Sequence, residues 1–230
     1  MIDLTDLADD RSAAGIDDLC GRAALNGTAA VCVWPEHVAR CVAQLEGTRI
    51  QIATVVNFPT GDEPLAAVVA QTSGALDDGA DEIDVVIPYR SLLVHDTDRV
   101  VALLDAVRDA TGDQLLKVIL ETGELSDLDT VRTATRLAID HGADFVKTST
   151  GKTPVSATLP AVRAMLDVIH TMAGVRPVGI KPSGGIRTFA DALAHLSAAD
   201  DVMGQGWAMP STFRFGASGL LDALLLEIGG

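Results

Sequence analysis

Short apolar runs that suit strands alternate with longer stretches of helical period along the whole of this chain. The strand-like runs fall at residues 2–4, 29–34, 49–56, 82–87, 115–121, 145–149, 177–181 and 213–215. Most are rich in Val and Ile and nearly continuous in hydrophobicity, as parallel strands buried on both faces should be. Between them, apolar positions recur at helical spacing over 13–26, 36–45, 64–78, 92–110, 128–141, 159–172, 189–203 and 218–227, lengths that suit crossover connections. Local signals agree with this division. Pro35 and Pro64 stand at helix openings, and Ser126 and Thr188 precede apolar runs as N-caps. Gly47, Gly79, Gly142 and Gly174 fall where a C-terminal stop belongs. Gly79-Ala80-Asp81 and Gly142-Ala143-Asp144 repeat one helix-to-strand joint.

Eight strands alternating with eight helices, with no linker or composition break, predict a (β/α)8 TIM barrel forming a single domain over residues 1–230. A doubly wound open sheet is the competing architecture. It usually carries a glycine-rich turn after its first strand, and residues 3–6 contain no glycine. In a barrel, successive strand residues point alternately to the centre and to the helices. Asp84 then shares a face with Val86, Lys117 with Ile119 and Glu121, and Lys147 with Phe145 and Ser149. The outward faces must be apolar to meet the helices. Asp84, Lys117, Lys147 and Lys181 are therefore expected to converge inward, towards the C-terminal mouth where barrel enzymes keep their chemistry.

Composition narrows the function. A hydrophobic fraction of 48% supports a sizeable core, and a net charge of −15 argues against nucleic-acid or anionic-membrane partners, which need a basic footprint. Cys20, Cys32 and Cys41 show neither CxxC nor zinc-type spacing, and an odd count fits a reducing compartment. The opening residues lack the basic and apolar regions of a signal peptide, and no apolar run reaches the roughly 18 residues of a membrane helix. A cytoplasmic protein is expected. The four lysines are the informative feature: Lys117, Lys147 and Lys181 lie within strand-like runs and Lys152 just beyond one, while the arginines carry the other basic positions. Lysine is almost never fully buried unless paired. Arginine cannot replace it where a neutral, nucleophilic amine is needed.

Two motifs carry that chemistry. In residues 144–152, Asp-Phe-Val-Lys-Thr-Ser-Thr-Gly-Lys, a strand runs into a small, hydroxyl-rich turn. Lys147 is there either a structural partner for an inward carboxylate or a nucleophile that forms a Schiff base with a carbonyl. Only about one free lysine in 2,500 is neutral at pH 7. Burial and a second cation both lower that pKa, and Lys181 supplies the cation. The second motif, residues 178–188, places Gly184-Gly185 after a strand and before a helix, with Arg187 in reach. It reads either as a tight βα turn or as an amide nest for an oxyanion. Together with Thr150-Gly151-Lys152 and Gly216-Ala217-Ser218 it would form a phosphate site on the last loops of a barrel.

These segments resemble the 2-deoxyribose-5-phosphate aldolases, class I aldolases of the TIM-barrel fold. The resemblance runs through Asp3-Leu4-Thr5, residues 28–33, Val56-Asn57-Phe58-Pro59, residues 82–86, residues 116–122, the Lys147 and Lys181 motifs, and residues 213–218. It implies reversible cleavage of 2-deoxy-D-ribose 5-phosphate into D-glyceraldehyde 3-phosphate and acetaldehyde, with neither metal nor organic cofactor. Lys147 matches the Schiff-base lysine, Lys181 the second lysine, and Asp84 the aspartate that relays protons. Gly151, Lys152, Gly184, Gly185, Arg187, Gly216 and Ser218 match phosphate-binding positions. Asp3 and Thr5 match polar positions on the first strand, and Cys32 matches a cysteine near the acceptor site, where a buried small hydrophobe is the plainer reading.

Alternatives remain a Schiff-base aldolase for another sugar phosphate, or a barrel that binds sugar phosphates without turning them over. Glu121 is expected to pair with Lys117 or to help the relay, and Tyr89-Arg90 to be loop. His37, His95, His141, His170 and His195 follow no ligand spacing and receive no role. Gly219 stands where many relatives place a second serine, which implies weaker phosphate binding. The chain ends at Gly229-Gly230 without the terminal tyrosine some relatives carry, and Met1 leads straight into the first strand. A slower enamine step is expected from the missing tyrosine, and from the direct start a barrel floor that is either less covered or shielded by a partner subunit, as in a homodimer.

Overall fold

In a computed structural model that describes every residue except Arg11, Ser126, Val175 and Gly230, the alternation becomes a sheet of eight parallel strands. They are β1 (Ile2–Asp6), β2 (Ala30–Val33), β3 (Gln51–Val56), β4 (Glu82–Val86), β5 (Leu115–Ile119), β6 (Phe145–Lys147), β7 (Gly179–Lys181) and β8 (Phe215–Ala217). The helices among the described residues are α1 (Ala13–Asn26), α2 (Val38–Leu45), α3 (Leu65–Asp77), α4 (Tyr89–Leu93), α5 (Thr97–Thr111), α6 (Leu128–Asp140), α7 (Leu159–Met172), α8 (Phe189–Met203) and α9 (Leu220–Gly229). A 3-10 turn, Pro35–His37, opens α2. None of these helices is long and apolar enough to cross a membrane.

Strand order follows the chain from β7 back to β1 and then β8. The two ends meet through parallel bridges that pair Ile180 with Phe213 and Ser183 with Gly216. The Ile180 N–H donates to the Thr212 carbonyl at 2.8 Å, and the Arg214 N–H donates to the Ile180 carbonyl at 3.0 Å. The sheet is thus a closed (β/α)8 barrel with no free edge. Leu4, Val31, Ile83, Val85, Leu116, Val118, Val146 and Ile180, which alternate with the inward set, are fully buried against the helices. That apolar layer leaves the barrel interior as the place for charge.

Several boundaries differ from the expectation, each for a local reason. Residues 92–110 form two helices rather than one. His95 takes a left-handed φ of 61°, and the Asp96 carboxylate then accepts the Arg99 N–H at 3.3 Å to start α5 afresh. Tyr89 and Arg90 open α4 rather than forming loop, with Tyr89 buried. Thr188 caps α8 as expected, and Asp191 completes a capping box. Ser126 lies outside the described residues; Asp127 caps α6, accepting the Thr130 N–H at 2.7 Å. Beyond Lys147, where β6 stops, a side chain joins the backbone in holding the strand to its neighbour: the Thr148 hydroxyl accepts the Ser183 N–H at 2.9 Å.

Inside the barrel, Asp84, Lys117, Phe145 and Gly179 stand side by side across β4 to β7, and Lys147 pairs with Lys181 one layer nearer the mouth. Gly179 leaves room for the Phe145 ring: a Cβ there would overlap the ring, with Cδ1 at 2.6 Å. The ring is buried and cannot swing aside. Gly179→Ala is expected to destabilise the protein by about 1–3 kcal/mol through overpacking. A lowered denaturant midpoint at unchanged m-value in urea unfolding is the result to look for.

Candidate active site

Asp84 is the hub of the interior. Its Oδ1 lies 2.7 Å from Lys117 Nζ, and its Oδ2 lies 2.8 Å from both Lys147 Nζ and Lys181 Nζ. The convergence expected for these four residues is therefore observed. Two further acids and one arginine complete the cluster. Asp3 sits 2.6 Å from Lys181, 3.7 Å from Lys117 and 2.7 Å from Arg214. Glu82 sits 2.6 Å from Lys117 and 3.4 Å from Arg214. Three carboxylates thus face four cations, all buried. Lys117, Lys181 and Arg214 each touch at least two of those carboxylates, whereas Lys147 touches only Asp84, and shares it.

The electrostatics follow from that asymmetry. Burial pushes Asp84 up, but Lys117, Lys147 and Lys181 outweigh it and hold the carboxyl well below the usual range. Asp3 is likewise held low, against burial, by Lys181, Lys117 and Arg214. Burial pulls each lysine towards the neutral form. Asp3 and Asp84 overcome it at Lys181, which stays an ammonium well above its ordinary range, and Asp84 and Glu82 do the same at Lys117. At Lys147 burial prevails. Asp84 opposes it, Lys181 reinforces it, and the net shift is downward. Desolvation is the larger cause of that shift, and the Lys181 charge the smaller.

A cavity of about 400 Å³ opens above Lys147 between the ends of β1, β6, β7 and β8. Thr5, Gly151, Lys152, Gly184, Gly185, Arg187, Gly216 and Ser218 all line it, as does Gly219. Among the described residues no acceptor takes the N–H of Gly151, Gly185, Ser218 or Gly219, so these amides are free to face an anion. Gly184 is required twice over, by a left-handed φ of 80° and by Ser156, which a Cβ would meet at 2.6 Å. The Arg187 side chain makes no ion pair among the described residues and is exposed at the rim.

Four of the expected site residues make contacts that the sequence did not indicate. The Gly216 amide is not free, because it donates to the Pro182 carbonyl at 3.0 Å in closing the barrel. Lys152 borders the cavity, yet its ammonium donates to the Leu7 carbonyl at 2.8 Å and lies 3.6 Å from Asp9, bracing the β6 loop against the end of β1. Asp3 is not in the cavity wall; it belongs to the charge cluster below. Cys32 is also absent from the wall and fully buried on β2, where burial raises its thiol and keeps it neutral. Glu121 does not pair with Lys117. It takes a left-handed φ of 54° and accepts the Thr150 hydroxyl at 2.5 Å and the Thr153 hydroxyl at 3.1 Å, fixing the turn after β6.

Glu82 and Arg214 were not anticipated. Both were signalled by period-two alternation: Glu82 shares its face with Asp84, and Arg214 alternates with Phe213 and Phe215. No cluster of three or more His, Cys, Asp or Glu among the described residues is placed to hold a metal ion.

Residues 1–223 match the model of the DeoC/LacD family of aldolases. The chain belongs to that family. A curated deoxyribose-phosphate aldolase from Agrobacterium fabrum is 50% identical over 234 residues, covering 100% of this chain and 90% of the relative. A solved structure from Coccidioides immitis, provisionally assigned as a deoxyribose-phosphate aldolase, superposes with a TM-score of 0.90 at 33% identity, covering 99% of this chain and 84% of the other. The aldolase QR15 gives a TM-score of 0.82 at 28% identity over 99% and 96% of the two chains.

For this aldolase-family barrel, Asp84→Asn is expected to leave three buried lysines without their shared partner and to cost about 3–5 kcal/mol at pH 7. The depressed Asp84 carboxyl contributes stability in full above its unfolded pKa of about 3.9, and that contribution fades as pH falls through the folded value. The gap between the two proteins in urea unfolding should therefore hold down to about pH 4 and narrow progressively below it.

Proposed function

We propose that this protein is a deoxyribose-phosphate aldolase that cleaves 2-deoxy-D-ribose 5-phosphate reversibly to D-glyceraldehyde 3-phosphate and acetaldehyde through an imine on Lys147. The observation that carries this reading is the isolation of Lys147. It is the cation of the buried cluster that borders the cavity, and its pKa is lowered while Lys181 and Lys117 are held charged. A buried amine made available by its surroundings is the usual form of an activated lysine nucleophile. Family membership and the Agrobacterium relative support the choice of substrate.

In this mechanism the neutral Lys147 amine adds to C1 of the open-chain sugar, giving a carbinolamine. Loss of water yields a protonated imine. A base takes the proton of the 3-hydroxyl, the C2–C3 bond breaks, and its electron pair moves towards the iminium nitrogen as an enamine. Glyceraldehyde 3-phosphate leaves with its new carbonyl. Protonation at C2 and hydrolysis then return acetaldehyde and the free amine. The ionised Asp84 can relay these protons, directly or through water. Lys181, held strongly protonated by Asp3 and Asp84, serves chiefly as a fixed positive charge that disfavours a second ammonium at Lys147. At the other end of the cavity, the free amides of Gly151, Gly185 and Ser218, with Arg187 at the rim, suit the 5-phosphate.

Reduction with borohydride in the presence of acetaldehyde should leave a stable secondary amine on Lys147, located by peptide mass spectrometry. Lys147→Arg should lose adduct and cleavage alike while keeping a native circular dichroism spectrum. Turnover by that variant would contradict the imine. An adduct without deoxyribose-phosphate cleavage would point to another substrate.

Gly219 offers a second test, of the phosphate loop. Its backbone is outside the left-handed region and a Cβ there would meet nothing within 4 Å, so serine fits without strain. Gly219→Ser is expected to lower KM for deoxyribose phosphate several-fold, the order of one added hydrogen bond to a charged group, and to leave KM for unphosphorylated deoxyribose unchanged.

A further inference from the structure

Arg214, like Lys117, is a cation of the cluster to which the imine chemistry gives no step. It stands between Phe213 and Phe215, whose rings pack edge to face at 4.9 Å, and alternation turns it to the opposite side, into the barrel. Its guanidinium reaches Asp3 Oδ1 at 2.7 Å and Glu82 Oε1 at 3.4 Å, while its Nε donates to the Pro210 carbonyl. It also lies over the Phe145 ring at 5.7 Å. Arg214 does not border the cavity.

We propose that Arg214 and Glu82 are positioning residues that set the protonation of Lys147 through the charge balance of the barrel interior. The inference rests on the reading of Lys147 as the nucleophile. Asp84 from β4, Lys181 from β7 and Cys32 from β2 act on Lys147 directly, while Asp3 from β1 is joined to it through Lys181, and Glu82 from β4 through Lys117 and Asp84. Lys117 and Glu121 approach from β5 and the turn after it, and Arg214 from the segment before β8. Cys32 is kept neutral by burial, and Glu121, which accepts from Thr150 and Thr153, makes no ion pair with the cluster cations among the described residues and stands outside their pairing. The remaining groups give three carboxylates matched by Lys117, Lys181 and Arg214, with Lys147 in surplus. A surplus buried ammonium is disfavoured, and the interior is neutral when Lys147 gives up its proton. Without the Arg214 charge, a proton on Lys147 would fill the shortfall. Without the Glu82 charge, the surplus would grow.

The two charges therefore act on Lys147 with opposite sign, which packing alone would not produce. The fraction of free amine is read by trapping acetaldehyde on Lys147 with cyanoborohydride across a pH series. Arg214→Gln is expected to move the midpoint of trapping to higher pH by about one unit, and Glu82→Gln to lower pH by about as much, roughly tenfold in free amine on the acid limb. The double variant should return towards the parent midpoint, and Arg214→Lys should stay close to it. If Arg214→Gln does not fold, Glu82→Gln and the double variant still carry the test of sign. Folded variants whose midpoints stay within a few tenths of a unit of the parent, or move in the same direction, would overturn the inference and leave the Lys147 imine standing. Absence of any Lys147 adduct in the parent protein at every pH would overturn both.

Discussion

Burying charge in a barrel is the constraint on which the rest of this molecule depends. Moving a single ion from water to the protein interior costs several kcal/mol even after relaxation, and the cost is offset only by close partners of opposite sign. Here seven charged side chains occupy the interior, and the two oxygens of Asp84 divide three lysines between them at 2.7–2.8 Å. That arrangement requires β4 to face β5, β6 and β7 in fixed register, because a slip of one residue on any strand would turn its charge into the apolar helix layer. Chemistry and fold specification thus draw on the same contacts. The Phe145 ring and the space left by Gly179 fill the layer beside Asp84, which keeps water from diluting the interactions.

At the mouth, a different constraint operates. An anion held by backbone amides needs N–H groups left unpaired by the fold and a wall low enough to approach them. Left-handed backbone at Gly151, Gly184 and Gly185 turns successive amides the same way. Gly216 contributes differently: with its amide used to close the barrel, it matters for the missing side chain, since a Cβ would overlap the Ser183 hydroxyl and lie 3.0 Å from Lys181 Cε. Lys152, at the cavity border, also ties the β6 loop to the end of β1. The cavity consequently has an amide-rich end and an amine end, the polarity a sugar phosphate needs if its carbonyl is to reach Lys147.

Much of this was legible in the sequence because alternation is a strong signal in strands buried on both sides. A charge within such a run has only the interior to go to, and that logic located Lys117, Lys147, Lys181 and Asp84. The same logic extends to Glu82 and Arg214, which lie on the same faces; they were passed over because one stands at a strand edge and the other between two phenylalanines. Partner choice was less legible. Glu121 follows Lys117 at even spacing, yet the left-handed turn at Glu121 carries its carboxylate to Thr150 instead. Backbone turns of this kind depend on tertiary contacts that periodicity does not encode. Asp3 and Cys32 show the complementary limit, since a motif identifies them as near the site without saying how deep they lie.

The four buried cations illustrate how a shared environment yields unequal chemistry. All lose the same hydration, so desolvation alone would make every lysine of the cluster a nucleophile. What separates them is the number of carboxylates each one touches. Lys117 and Lys181 have two or more and remain ammonium ions; Lys147 has a share in one and does not hold its proton as well. The difference is small in structural terms, a matter of one missing acid beside β6. It nonetheless decides which amine is available, because the charged neighbours block the alternatives as well as lowering Lys147. Of the three buried lysines, the one with a share in a single carboxylate is the one whose pKa is lowered, so counting acids around each amine ranks them as burial alone would not.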